Sequence, residues 1–242
     1  MLQRTEGIVL RTHPFGEADL IVTYITRDFG IVKVFAKSPR KTKSRFGSSL
    51  EPLTFSRLSF WGKEDAALPR LTQSDIIHSF SALRESLRCF FRVSELIELT
   101  LHFVPERDLS RNVYALLMQT LQTMEASCGT PLIPLYYKVK LLDMIGYLPG
   151  LHACGRCGDS GETFHISHGT VLCGKCAEDT EGTSRLSPGV KTFFLSLLKW
   201  EMAKIDRIRP AEVILTERSV LIDEHVRYIM EKDLKTKGFR RV

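Results

Sequence analysis

The stretch Gly7–Ala36, GIVLRTHPFGEADLIVTYITRDFGIVKVFA, decides the fold. It holds three short runs, GIVLRTH (7–13), DLIVTYIT (19–26) and GIVKVFA (30–36), each rich in β-branched and aromatic residues. PFGE and DFG separate them, and clusters of Gly, Pro and Asp punctuate strands in this way. Side chains alternate along a strand, so in the second run Leu20, Val22 and Tyr24 share one face and Ile21, Thr23 and Ile25 the other. Both faces carry apolar groups. Two further runs, LTFSRLSFW (53–61) and LPRLTQSDII (68–77), bring the count to five strands before residue 78. Five strands in so short a span predict a small closed barrel rather than an open sheet.

Beyond Ser81 the period becomes helical. Leu83, Leu87, Phe90, Phe91, Ile97 and Leu101 recur at helical spacing until Pro105 stops the run. A second helix carries Val113, Leu116, Leu117, Leu121 and Met124; a third starts near Pro131 and carries Tyr136, Val139, Leu142 and Ile145 before Gly146. In LSPGVKTFFLSLLKW, Ser187 reads as an N-cap with Pro188 at the first helical position. TERSVLIDEHVRYIMEKDL predicts a last helix, and KTKGFRRV a basic tail. The expected fold class is α+β multidomain: a five-stranded barrel over residues 1–80, then a helical domain over 81–242 with a cysteine module at about 150–180.

That module is CGRC, fifteen residues, then CGKC, so Cys154, Cys157, Cys173 and Cys176 form two matched pairs. A Cys-x-x-Cys turn sets two thiolates on one metal, and two such turns complete a tetrahedron. ETFHIS, HG and TVLC between the pairs predict a small hairpin, making the module zinc-ribbon-like. A thioredoxin-like redox pair needs a strand and a helix start around one motif, and that context is absent. A zinc deaminase needs a His-x-Glu element upstream, which LHACGRC does not supply. His152, His165 and His168 read as surface or hairpin residues. Four thiolates close the coordination sphere, so the expectation is one structural Zn2+ per chain, with iron left open by the spacing.

Composition narrows the class. The chain has 242 residues, 43% hydrophobic and 26% charged, with a net charge of +6, which excludes a disordered chain and leans toward a polyanionic partner. No apolar run approaches the ~18 residues of a membrane span. Arg4, Glu6 and Arg11 interrupt the N-terminal stretch, so no signal peptide is expected, and paired cysteines without one point to a reduced compartment, the cytoplasm. No nucleophile–base pair stands out, Glu17 and Asp19 read as surface charge, and no Gly-rich loop carries a phosphate-binding lysine. The expectation is a protein that is not an enzyme.

The remaining feature is KVFAKSPRKTKSR (33–45), with six Lys/Arg and no acid. Single strands bind barrels through a cationic groove and stacking aromatics. Lys37, Arg40, Lys41, Lys43 and Arg45 are expected to neutralise phosphates without reading sequence, with Arg11 and Arg27 extending the patch. Phe15, Phe29, Phe35, Phe46 and Phe55 flank the run, and Phe46 is the expected stacking residue. An RNA-binding zinc protein on the same barrel, or a scaffold whose charges only solubilise it, are the competing readings.

EGIVLRTHPFGEADLIVTYITRDFG, followed by AKSPRKTKSRFGSSLEPLTFSRLSFW, resembles the start of the RecO family of bacterial DNA repair proteins. GYLPGLHACGRCG, LCGKCA and LSPGVKTFF are similar to that family's later segments, in the same order. The resemblance implies an N-terminal OB-fold, a helical C-terminal domain and a zinc site. It also implies binding of single- and double-stranded DNA, annealing of complementary strands and recombinational gap repair at the nucleoid. The implied partners are RecR, the acidic C-terminal tail of the single-stranded DNA-binding protein SSB and, indirectly, RecA, with no membrane.

Overall fold

The computed structural model describes residues 1–40, 44–63, 66–128, 130–177, 184–205, 208 and 212–236. The five expected strands form as β1 (Leu2–Phe15), β2 (Asp19–Thr26), β3 (Gly30–Ala36), β4 (Phe55–Trp61) and β5 (Arg70–His78). They close into a barrel in the order β1-β2-β3-β5-β4, the order that an OB-fold requires. β1 makes closure possible by serving two neighbours. Its first half pairs with β4, from Leu2 opposite Trp61 to Ile8 opposite Phe55, and its second half with β2. The halves overlap at Gly7 and Ile8, and a Cβ added at Gly7 would lie 3.0 Å from the Ile25 carbonyl oxygen and 3.2 Å from Leu58. A side chain there would press on both neighbouring strands, so glycine suits the position. The last seam is parallel: Phe35 on β3 faces Arg70 on β5, and the Phe35 N–H donates to the Pro69 carbonyl at 2.8 Å.

The two apolar faces of the strands now have separate destinations. Val9, Val22, Tyr24, Val32, Val34, Leu58, Phe60 and Leu71 fill the barrel. Ile8, Ile25, Ile31 and Leu53 belong instead to a core shared with the helices. Covering a strand on both sides removes its apolar groups from water at roughly 25 cal/mol per Å2.

The first helix starts at Ser81, three residues after β5. The elements are α1 (Ser81–Glu85), α2 (Leu87–Phe103), α3 (Arg111–Ser127), α4 (Leu132–Met144), α5 (Pro188–Lys199), α6 (Met202–Ile205) and α7 (Glu212–Met230). The single expected helix after Ser81 is in fact two. Ser86 takes extended backbone geometry, and its hydroxyl accepts the Cys89 N–H to cap α2. The break shifts the helical phase, so Cys89, Val93, Leu96 and Thr100 face inward, whereas the expected core residues Leu87 and Phe90 are exposed. The core positions of α3 are those expected, and Ser187 caps α5 with Pro188 at the first turn.

α4 sits at the centre, buried all round. It carries Lys138, whose ammonium is 5% exposed and reaches Glu95 on α2 at 2.6 Å and Asp223 on α7 at 2.7 Å. One cation thus ties three helices, because a buried charge must be paired. Cys89 and Cys128 join in a disulfide between the start of α2 and the end of α3, a pairing the sequence alone does not reveal. Among the described residues, no helix is long and apolar enough to cross a membrane.

Candidate metal centre and nucleic-acid interface

The cysteine module forms the expected hairpin of β6 (Thr163–His165) and β7 (Thr170–Leu172), with an unexpected third strand, β8 (Ser184–Arg185), beside β6. Phe164 and Val171 turn from it into the helical core. On the other side the backbone curls at each Cys-x-x-Cys. The Gly158 N–H donates to the Cys154 carbonyl at 2.9 Å, with Gly158 at φ +83°, a left-handed value that favours glycine. The N–H groups of Cys176 and Ala177 both donate to the Cys173 carbonyl at 3.1 Å.

These turns bring the sulfurs of Cys154, Cys157, Cys173 and Cys176 within 4.8 Å of one another, with no histidine in the group. Cys157 Sγ and Cys173 Sγ stand 3.5 Å apart. Zn–S bonds of about 2.3 Å set tetrahedral edges of about 3.8 Å, so the donor set fits zinc. Backbone hydrogen bonding from Cys173 holds the Cys154 thiol down to about 6, while the Cys157 and Cys173 thiols push Cys176 up to about 12. Four thiolates repel one another unless a cation lies among them.

The basic run links β3 to β4. Ser38, at φ +54°, donates its N–H to Asp19 Oδ1 at 2.6 Å, and the Arg40 N–H donates to the Ala18 carbonyl at 3.3 Å. Asp19 therefore anchors the base of the run. Lys37, Arg40 and Arg45 are exposed, and among the described residues no carboxylate pairs with them. Lys41 and Lys43 lie outside the described residues.

Two expectations need correction. Phe46 is 3% exposed and packs in the barrel core with Leu50 and Phe60, so it offers no face to a base. The Arg45 guanidinium covers its ring at 4.9 Å. Arg27 does not extend the patch: it lies in the β2–β3 turn, at the Thr26–Gly30 end of a ribbon whose other end is Leu20–Ala36. About six residues of strand, roughly 20 Å, separate it from Lys37. Arg11, opposite Thr23 of β2, borders a cleft of about 440 Å3 between the barrel, α2 and the segment after α7.

Exposed aromatics do flank the cations: Phe15, named among the phenylalanines around the run, and Trp61, which the sequence reading passed over. Trp61 is 60% exposed, and Phe15, 50% exposed, meets Phe35 edge-on at 5.8 Å. Their spacing in sequence carries no sign of this; the β3–β5 seam creates it.

A family described as Recombination protein O N terminal matches residues 1–80, and one described as Recombination protein O C terminal matches residues 85–238. The chain is 38% identical over 228 residues to the DNA repair protein RecO of Thermodesulfovibrio yellowstonii, covering 92% of this chain and 91% of the relative. It is 30% identical to the DNA repair protein RecO of Dehalococcoides mccartyi, covering 96% and 92% of the two chains, and of Caldanaerobacter subterraneus, covering 98% and 96%. The order β1-β2-β3-β5-β4, the helices behind it and the four gathered cysteines all lie inside these matched spans, and the chain belongs to the RecO family of DNA repair proteins.

Proposed function

We propose that this DNA repair protein is a non-catalytic recombination mediator, with a nucleic-acid-binding unit over residues 1–80 and a helical unit over 81–242. The barrel binds single- and double-stranded DNA without sequence preference. The observation that carries this reading is the exposed set Lys37, Arg40 and Arg45, held on an anchored loop with no described acid against it. Cations so placed displace condensed counterions from phosphates, a gain indifferent to base identity. Lys41 and Lys43 add to the same run. Two strands held on one cationic surface repel each other less, which favours annealing.

The cysteines hold one structural zinc that fixes the hairpin against the helices. Zinc supplies a closed coordination sphere and no chemistry on substrate. RecR, and RecA by way of RecR, complete the mediator role at the nucleoid in the cytoplasm. The acidic C-terminal tail of SSB fits the cleft behind the barrel. Phe90, Ile97 and Leu101 form its apolar floor, and Arg11, Lys232 and Lys235 stand at its rim.

The test is an annealing assay with complementary oligonucleotides of several unrelated sequences, alongside direct binding. All sequences should bind with similar affinity and anneal faster with protein present. A strong preference for one sequence, or displacement of DNA by RNA of equal length at far lower concentration, would refute the reading.

A further inference from the structure

The register of the barrel places side chains far apart in sequence on one outer row. His13 faces Ile21, Ile21 faces Phe35, Phe35 faces Arg70, and Arg70 faces Trp61. Directly paired residues share a face of the sheet. The face is the outer one, because Val34, Ala36, Leu71 and Phe60, the chain neighbours of Phe35, Arg70 and Trp61, fill the barrel. Phe15 joins the row through its edge contact with Phe35. The result is an outward-facing sequence of aromatic, cation and aromatic across β3, β5 and β4. Lys37, exposed, follows directly on the end of β3, two residues beyond Phe35.

We infer that this row is a stacking platform for unpaired bases and that it sets the protein's preference for single strands over duplex. The inference rests on the proposed DNA-binding reading and adds to it which residues meet bases. An exposed apolar patch marks a binding surface, and the charges select the occupant. Arg70 lies between Phe35 and Trp61, and no carboxylate among the described residues pairs with Arg70 or Lys37. A surface of exposed rings and of cations with no described carboxylate partner complements a chain of flat bases and phosphates. Bases in a duplex already stack on one another and leave no face for Trp61 or Phe35. Duplex can use the cations alone, whereas a single strand can use cations and rings together. The rings of the row therefore act on one substrate and leave the other alone.

The experiment uses the full chain with Trp200→Phe, which leaves Trp61 as the single tryptophan of the two. Trp61 emission is titrated with oligothymidine, with an abasic oligomer of equal length and with duplex, while the anisotropy of an end label reports binding independently. Oligothymidine should quench Trp61; the abasic oligomer and the duplex should bind without quenching. In the full chain Trp61→Ala should weaken oligothymidine binding about thirtyfold, the middle of the range for one stacked base. It should leave abasic and duplex affinity unchanged. If oligothymidine binds with Trp61 emission and Trp61→Ala affinity unmoved, the row is a face for another protein and the inference falls while the DNA reading stands. If no DNA binds the unmodified chain, both fall together.

Discussion

Truncating Phe46 separates a core role from a binding role. The ring is 3% exposed, packs in the barrel core with Leu50 and Phe60, and lies under the Arg45 guanidinium at 4.9 Å. Phe46→Ala removes the buried ring and leaves a void that the barrel, already closed by β1, cannot easily collapse. Such changes cost about 3–5 kcal/mol, and the lost cation–π contact adds about 0.5–1 kcal/mol at this exposed edge. Against a total stability of about 5–15 kcal/mol, the loss is a large share. Urea unfolding followed by circular dichroism should show the midpoint falling sharply with little change in slope. DNA affinity measured well below that midpoint should stay within about twofold of the unmodified protein, and Phe46→Leu should recover much of the stability. An unchanged midpoint with DNA affinity reduced about tenfold or more would refute the reasoning and restore Phe46 as a stacking residue.

Cys157→Ser should remove metal from the purified protein, read by elemental analysis, and loosen β6 and β7 while the barrel stays folded, because ligand closure and folding of the hairpin are coupled. At the buried triad, Glu95→Ala should cost about 3–5 kcal/mol by leaving Lys138 under-paired, while replacing Lys138, Glu95 and Asp223 together with apolar residues of similar volume should come out near neutral in chemical denaturation. In the cleft, Lys232→Glu with Lys235→Glu should weaken a peptide of the acidic SSB tail about tenfold or more in calorimetry and leave oligothymidine affinity within about twofold; equal peptide binding would move that contact elsewhere.

What was legible in the sequence was what local spacing encodes. The two Cys-x-x-Cys turns gather because each is a tight turn, and the hairpin between them needs only a few residues to close. The apolar residues on both faces of β2 anticipated a strand covered on both sides, one face in the barrel and the other against the helices. Long-range pairing was not legible. Phe35, Arg70 and Trp61 meet only through the β3–β5 seam, whose partners are separated by more than thirty residues of chain. The α2 stripe failed for a local reason: counting helical phase across Ser86 assumes a continuous helix, and the cap there resets it. Phe46 failed because an aromatic beside a basic run can turn either way, and the short 3-10 turn at Gly47–Leu50 accompanies a ring that turns inward. The Lys138 triad joins three helices, so no window on the sequence contains it.

The central claim is that exposed cations on the β3–β4 connection hold DNA by its phosphates. The most direct measurement is the salt dependence of oligothymidine binding for the unmodified chain and for the variant combining Lys37→Ala, Arg40→Ala and Arg45→Ala. Each phosphate contact on a single strand contributes roughly 0.7 to the slope of log affinity against log salt. Losing three should flatten that slope by about two units, with weaker binding at low salt and unchanged zinc content. A slope equal to that of the unmodified protein, in a variant that still folds, would mean that the run is only a solvated loop and would contradict the account.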